Sequence, residues 1–549
     1  MKIAILSNVN VDTIIKKISK KYDIYKTQGY GEWVQELVIE KSFLHQFSPE
    51  NIFLILDGEE LFRGFKSLDD CNKEIEQYFS YIEMAVKKFF TITFFVSNID
   101  LYSKKLLSAK EVAFNRELEF FWYKKISDLN EKYNNFIMFD LKSVIEDTGR
   151  QVFYSAKMWY LAGIKYSLKG QNLIQEQVER LLKKNSKRKK CLVLDLDNTL
   201  WGGIVGESGI NGISLSEFKE GARYKDFQKR IKDIKDTGII LAIVSKNNVN
   251  DAMEVIDNHP HMVLRKNDFV AIKINWKNKI ENIKEIAQEL NIGTDSMVFI
   301  DDNPIERESV KNYIQGITVP DFPEDTSELE YFATRVYYDN FFTLRVLNED
   351  KEKTQMYKEN IEREHEKTNF ASIDDFYKNL NMKIFIKKVD AGDIPRASQL
   401  TQKTNQFNVT TKRYTESEIQ NFVNSRNYDV YIASVQDKFG DNGKCILLII
   451  NKTEKFKAKI DTFLLSCRVM GRNIEYNIQK FIEDKLLKEG YNEIEAEYIP
   501  NEKNKPVENL FEELGYSLIA INNGTKNYVY SIDKGNIKNY NVFAELIER

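Results

Sequence analysis

Four apolar residues that run straight into two acids constrain this chain more than anything else in it. The run Cys191-Leu192-Val193-Leu194 continues as Asp195-Leu196-Asp197-Asn198-Thr199-Leu200-Trp201-Gly202-Gly203. The apolar part reads as a buried strand of a sheet covered on both faces. Its carboxyl end is where open α/β sheets build their sites. Strand side chains alternate, so Asp195 and Asp197 are expected on one side, where a shared Mg²⁺ relieves their repulsion. Thr199 adds a hydroxyl, and Gly202, Gly203 and Gly206 let the backbone bend tightly.

Three further segments point to the same place. The strand-like run Ile239 to Val244 leads into Ser245-Lys246-Asn247, and Met297 to Ile300 leads into Asp301-Asp302-Asn303. Between them Ile280, Ile283, Ala287 and Leu290 mark one face of a helix with Lys279 in its first turn. A lone D-x-D, S-K or D-D is commonplace. Together, at strand ends and a helix start, they converge on one crevice. There Asp195, Asp197 and one of Asp301 or Asp302 would hold a hard cation, while Ser245 and Lys279 neutralise phosphate oxygens. Asp195 can attack phosphorus and Asp197 can serve as general acid and base. Asp195 and Ser245 are 50 residues apart and Ser245 and Lys279 are 34 apart, too few for a large cap domain. The crevice is therefore expected to be open, and able to admit a macromolecular arm.

Around this centre, 549 residues with 42% hydrophobic and 30% charged composition provide for three or four domains. The balance of 80 Lys+Arg against 83 Asp+Glu gives no field for nucleic acid or an anionic membrane. Cysteines at 71, 191, 445 and 467 suit neither a disulfide framework nor zinc, and read as reduced thiols in a cytoplasm. No run approaches the roughly 18 apolar residues of a membrane span. Residues 1–183 alternate short strands (Lys2 to Leu6, Ile52 to Leu56, Thr91 to Val96, Phe136 to Asp140) with helices such as Asn72 to Lys88, a doubly wound α/β pattern. The basic run Lys183 to Lys190 reads as a solvated linker, with phosphate binding as the alternative. After the central domain, 187–345, comes a charged stretch, 346–380, that reads as a solvated connecting helix.

Residues 381–549 read as a mixed α/β domain, with strands at Lys383 to Val389, Asp429 to Val435, Lys444 to Ile450 and Phe456 to Leu465, and a helix from about Gly471 to Lys488. At the strand-to-helix turn, backbone amides near Gly471 and Asn473, beside Arg468 and Arg472, would receive a pyrophosphate. The same turn could instead cap a helix. Cys467 is a candidate catalytic thiol or a small buried apolar residue.

The central motifs resemble the haloacid dehalogenase-like superfamily. With D-L-D-N-T-L-W-G-G-I-V-G-E, N-W-K-N-K and F-I-D-D-N-P-I-E-R, the chain resembles, over nearly its whole length, the FkbH-like family (subclass IIIC type). That resemblance implies three α/β domains: an SGNH-like doubly wound first domain, an uncapped HAD-like Rossmannoid parallel sheet and a GNAT-like mixed third domain. The only histidine before residue 259, His45, lies too early to serve as the base of an SGNH esterase, so docking or scaffolding is the expected role of the first domain. By the resemblance Asp195 matches the nucleophile, Asp197 the acid/base, Ser245 and Lys279 the phosphate-binding groups, with Thr199 and Lys246 beside them, and Asp301 and Asp302 the metal pair. The turn Ser466 to Asn473 is similar to the cofactor loop of GNAT acyltransferases. The implied reaction transfers a glyceryl-type acyl group from an acyl phosphate to an acyl carrier protein, with Mg²⁺ and a phosphopantetheine arm or coenzyme A. Two alternatives stay open: a phosphatase on a phosphorylated sugar or hydroxy acid beside a separate acyltransferase domain, and a non-catalytic docking scaffold. Leu196 stands where that family often has cysteine, so an acyl-cysteine intermediate at this position is not available.

Overall fold

The computed structural model describes residues 1–549 except 28, 30, 65–66, 102–107, 111, 183–187 and 533–539. Contacts divide the chain into Met1–Lys183 with Thr415–Gln420, and Lys184–Tyr414 with Asn421–Arg549.

The first unit is built on a parallel sheet of β1 (Lys2–Ser7), β2 (Asp23–Lys26), β3 (Asn51–Ile55), β4 (Thr93–Ser97) and β5 (Phe136–Phe139), in the order β2-β1-β3-β4-β5. Apolar side chains leave both faces, Ile3, Ile5 and Phe53 on one and Ala4, Leu6 and Leu54 on the other. Strand β2 is short and carries no fully buried residue, so no apolar run announces it. At the strand ends the polar groups satisfy each other. Ser7 Oγ donates to the Ile55 carbonyl at 2.7 Å, Lys165 pairs with Asp57 at 2.5 Å and Arg150 with Asp100 at 2.6 Å. His45 bonds Ser42 at 2.7 Å, on the short helix Phe43–Phe47.

In the second unit, β6 (Cys191–Leu194), β7 (Ile240–Ser245), β8 (Phe269–Ile274) and β9 (Met297–Ile300) form a parallel sheet ordered β8-β7-β6-β9. Leu194 is in register with Ile243 and Ile300, so β6 and β9 end level and β7 runs two residues further to Ser245. Between β6 and β7 lie the helices Val205–Ser208 and Lys219–Asp236, between β7 and β8 the helix Val249–Asn258, and between β8 and β9 the helix Lys279–Glu289. Among the described residues no insertion between these strands is large enough for a cap domain.

Two expectations about charged segments need correction. Residues 183–187 of the basic run lie outside the described residues, but Arg188 and Lys189 are not solvated. Arg188 donates to the carbonyls of Phe341 (2.6 Å) and Thr237 (2.9 Å), and Lys189 to that of Asp295 (2.7 Å). Nor is the 346–380 stretch a solvated connector. Its helix Lys353–Lys367 buries Met356 and Tyr357, while Asp350 and Arg363 are fully buried. Asp350 is met by Lys353 (2.6 Å) and by the distant Lys403 (3.2 Å), and Arg363 by the distant Asp437 (2.8 Å), and local charge density does not reveal the distant pairings.

A third sheet follows: β10 (Lys383–Lys388), β11 (Phe407–Asn408), β12 (Tyr428–Asp437), β13 (Gly440–Asn451), β14 (Lys457–Leu465), β15 (Glu493–Tyr498), β16 (Ser517–Asn522), β17 (Thr525–Ser531) and β18 (Glu545–Glu548). Its order is β16-β17-β15-β14-β13-β12-β10-β18, with β11 on β14. The parallel pair β14–β15 holds only over Lys457–Ile460 and Glu493–Ala496. A register shift against β13 leaves Asp461 as an extra residue that bends β14 away. The wedge is filled by the chain itself. Phe407 and Asn408 pair with Leu465 and Leu464, and the Val409 carbonyl accepts from Ile499 N at 2.9 Å.

Candidate active site

Strand β6 ends at Leu194, and the next residue turns its carboxylate into the crevice. Asp195 is 7% exposed and its backbone N–H is still held by the Ile300 carbonyl at 3.0 Å. Lys279, the first residue of its helix, is 3% exposed and reaches Asp195 Oδ2 at 2.7 Å and Asp301 Oδ2 at 2.6 Å. That helix is capped by Asn278, whose side chain accepts from Ile280 N at 2.9 Å. Burial works against the Lys279 charge, but Asp195 and Asp301 outweigh it and raise its pKa. Burial and the facing Asp195 push the Asp301 carboxyl up to about 6 even with Lys279 beside it. Asp302 is raised for the same two reasons.

Asp195, Asp301 and Asp302 bring carboxylate oxygens within 4.8 Å of one another. Oδ1 of Asp195 is buried without a hydrogen-bond partner. An oxygen-only donor set with one unmet oxygen suits a hard divalent cation, which would also relieve the repulsion that raises both neighbours.

The Asp197 carboxylate is not part of this cluster, contrary to the sequence expectation. The alternation rule requires a strand on both sides, whereas the chain turns at Asn198, with φ +53°. Asp197 Oδ1 instead accepts from Trp201 Nε1 (2.8 Å) and Val205 N (3.1 Å), and Oδ2 from Asn247 Nδ2 (2.8 Å). Burial still raises its pKa, opposed by these donors. A half-buried carboxyl aimed by three donors, its pKa raised by burial, suits the part of a general acid.

Several other sequence candidates play different parts. Thr199 is fully buried, accepts from the Asp302 backbone N–H (3.2 Å) and donates to Asp302 Oδ1 (3.3 Å), so it positions that carboxylate. Ser245, 2% exposed, closes β7 on the crevice side. Lys246 is committed to Glu306 at 2.5 Å. Sequence reasoning missed Trp201, Asn247 and Arg307. Trp201 and Asn247 lie inside the motifs already singled out, so proximity to Asp197 was the available signal. Arg307, which closes the quoted F-I-D-D-N-P-I-E-R motif, holds the carbonyls of Asp301 (2.9 Å) and Asp302 (2.6 Å), so its place in that motif was the available signal.

The third-region candidates do not join this site. Cys467 lines a cavity with Lys190, Gly238 and Ser296, which lie one or two residues before β6, β7 and β9. Asp195 follows the opposite ends of those strands, so a four-residue strand of about 13 Å separates the two. Arg472 is buried against Asp437 (3.1 Å) and Asn360 (2.9 Å) and donates to the Arg468 carbonyl, so it is not presented to an anion. Arg468 is 5% exposed, with Nη1 3.2 Å from Met356 Sδ. Gly471 (φ +71°) and Asn473 (φ +58°) make the left-handed turn into the helix Ile474–Lys488, and the Gly471 carbonyl accepts from Tyr377.

Comparison with known proteins agrees with the central geometry. Residues 190–341 match the model of the NLI interacting factor-like phosphatase family. No curated protein matches the chain by sequence. The N-terminal part of the protein BF1531 from Bacteroides fragilis, which contains a phosphatase domain and was crystallised with Mg, aligns at 28% identity and a TM-score of 0.56. That alignment covers 63% of this chain and 94% of that one. The ribosomal-protein-S18-alanine N-acetyltransferase from Escherichia coli aligns at 15% identity and a TM-score of 0.22, over 29% of this chain and 99% of its own. The GNAT domain of S. lividans PAT aligns at 12% identity and 0.22, over 27% and 89%. The central region is thus similar to phosphatase domains of the haloacid dehalogenase type. Among the described residues no helix is long and apolar enough to cross a membrane.

Proposed function

We propose that this protein is a Mg²⁺-dependent enzyme that cleaves phosphate from a phosphorylated small molecule, with Asp195 as the nucleophile. The observation that carries the reading is the buried Asp195, flanked by Lys279 and by the Asp301–Asp302 pair and left with one unmet oxygen. The three carboxylates would hold Mg²⁺, which supplies charge neutralisation for the phosphoryl oxygens when bound. Asp195 attacks phosphorus and the bond to the leaving oxygen breaks, while Asp197 delivers the proton to that oxygen. Asp197 then takes a proton from the water that cleaves the phospho-aspartate, and inorganic phosphate leaves. Trp201, Val205 and Asn247 keep the Asp197 carboxyl aimed through both transfers.

A second reading, acyl transfer from an acyl phosphate to a carrier-protein thiol, is favoured by the rim of the crevice. Phe218 (78% exposed), Val249 (51%), Trp276 (76%) and Ile305 (74%) all lie in segments that follow the carboxyl ends of the central strands. Exposed apolar side chains around an uncapped crevice suit a protein partner such as an acyl carrier protein. In that reaction the carrier thiolate attacks the carbonyl carbon and the carbon–oxygen bond breaks. Phosphate departs with the bridging oxygen, and Asp195 is a metal ligand only. Cys467, at the other end of the sheet, does not serve as that thiol. The third domain, with its GNAT resemblance, is left as an acyl-handling module and the first, with its SGNH resemblance, as a docking module. One experiment separates the two reactions. Acyl phosphate labelled with ¹⁸O at the bridging oxygen returns the label in free phosphate if thioester formation is the reaction. It returns the label in the acyl product, beside a trappable phospho-Asp195, if the phosphatase reaction is.

A further inference from the structure

One ion pair of the second unit spans the crevice from wall to wall. Strand β6, which leads into Asp195 and Asp197, lies between β7 and β9. Lys246 follows β7, and Glu306 is the third residue of the helix Pro304–Tyr313 that follows β9. Those two strands are two spacings apart, about 10 Å. Lys246 Nζ nevertheless meets Glu306 Oε1 at 2.5 Å, so the pair passes in front of the end of β6. Among the described residues it is the only hydrogen bond or ion pair that joins segment 246–248 to segment 303–307.

Each partner stands next to a residue that works on the site. Asn247 donates to Asp197 Oδ2 at 2.8 Å, and Arg307 donates to the carbonyls of Asp301 (2.9 Å) and Asp302 (2.6 Å). Both turns are short and close on a helix cap, Asn248 accepting from Asn250 N and Asn303 from Ile305 N, each at 2.9 Å. A shift of either turn therefore carries its neighbouring contact with it. The side chains are 37% and 17% exposed, so water screens the pair and it adds little to overall stability. We propose that Lys246 and Glu306 are positioning residues, whose ion pair ties the two turns together and so fixes Asp197 relative to the cluster of Asp195, Asp301 and Asp302. The inference rests on the phosphatase reading, in which Asp197 delivers a proton to the leaving oxygen. That transfer needs the carboxyl within hydrogen-bond reach of the oxygen, so slack between the two walls of an uncapped crevice is paid in rate rather than in binding.

Two measurements on the full-length protein test the pair. Hydrogen exchange followed by mass spectrometry reads the tie without any turnover. Glu306→Gln and Lys246→Met should each speed exchange in both segments, 246–248 and 303–307, and the charge-reversed double variant, Lys246→Glu with Glu306→Lys, should slow it again. Exchange that stays at the wild-type rate in either segment overturns the proposal. The second measurement reads the positioning through the leaving group. A nitrophenolate departs without a proton, whereas an alkoxide needs the one from Asp197. In Mg²⁺ buffer, Glu306→Gln should therefore lower kcat/KM for glycerol 2-phosphate about tenfold and for p-nitrophenyl phosphate by less than about twofold. The charge-reversed variant should recover the glycerol 2-phosphate rate. An equal fall on both substrates overturns the positioning role. So does a loss in Lys246→Met that exceeds the loss in Glu306→Gln and is not recovered by reversal, which would make Lys246 a phosphate ligand. A wild type that hydrolyses neither substrate overturns the phosphatase reading instead, and the exchange rates still decide whether the two turns are tied.

Discussion

The crevice at Asp195, marked by four converging motifs, and the turn at Arg468–Asn473, with helix capping as its alternative, were both singled out in sequence, and the structure treats them differently. At the crevice, Asp195, Lys279, Asp301 and Asp302 converge because each sits at the end of a buried strand or at the first turn of a helix. Those positions are fixed by the fold itself. At the turn, Arg472 has been drawn inward by Asp437 at the end of β12 and by Asn360 of the connecting helix. A local motif therefore predicts function well when the backbone element dictates where its side chains point. It predicts poorly when a long, charged side chain can find a partner far away in sequence.

The sharpest way to break this comparison is Asp195→Asn. Turnover should fall by at least about a thousandfold, while the melting temperature stays close to wild type, since Lys279 keeps Asp301 as a partner. Near-normal turnover in Mg²⁺ buffer would place the chemistry elsewhere. The mirror experiment is Arg472→Ala, which should leave phosphate release intact but cost about 3 kcal/mol of stability, read as a shifted urea midpoint. It removes one member of a buried cluster in which Arg363 and Arg472 share Asp437.

Legibility followed the same divide. The strand ends carrying Asp195, Ser245 and Asp301, and the helix start at Lys279, were readable because apolar runs and helical spacing mark buried elements directly. The direction of Asp197 was not, because it depends on a turn with positive φ at Asn198 and on donors from Trp201 and Asn247. Strands β2, β11 and β16 escaped for a related reason. They are short or exposed, β11 is only two residues long, and their pairing is set by neighbours rather than by their own pattern. The burial of the connecting segment was equally hidden, since Asp350, Lys353 and Lys403 neutralise each other across about fifty residues of sequence.

That network gives a pH test. Burial alone would raise the Asp350 carboxyl, but the Lys353 and Lys403 ammoniums hold it well below the usual carboxylate range. A depressed folded-state pKa means stability that is fully present above the unfolded value, about 3.9, and is lost as pH falls below it. The melting temperature of wild type should thus fall as the pH drops below about 4. Asp350→Asn should begin lower at pH 7, with two buried ammoniums unanswered, and show a shallower acid decline. Equal acid slopes would remove Asp350 from the account.

The smallest expected effect concerns what the crevice receives. Trp276 stands 76% exposed between β8 and the helix that begins at Lys279, so its indole is beside Lys279 in sequence but outside the hydrogen-bonded site. A large aromatic side chain kept in water is costly unless a partner covers it, and aromatic residues are the usual anchors of protein interfaces. If a carrier protein docks there, Trp276→Ala should raise KM for the carrier-dependent reaction by about fivefold, roughly 1 kcal/mol of lost contact. The kcat for that reaction, and the hydrolysis of a small phosphorylated substrate, should stay within about twofold, because uniform binding energy is what such a contact contributes. A matching loss on both substrates would mean that Trp276 orders the Lys279 helix start rather than receiving a partner. No change on either would leave the crevice to small molecules alone and favour the phosphatase reaction.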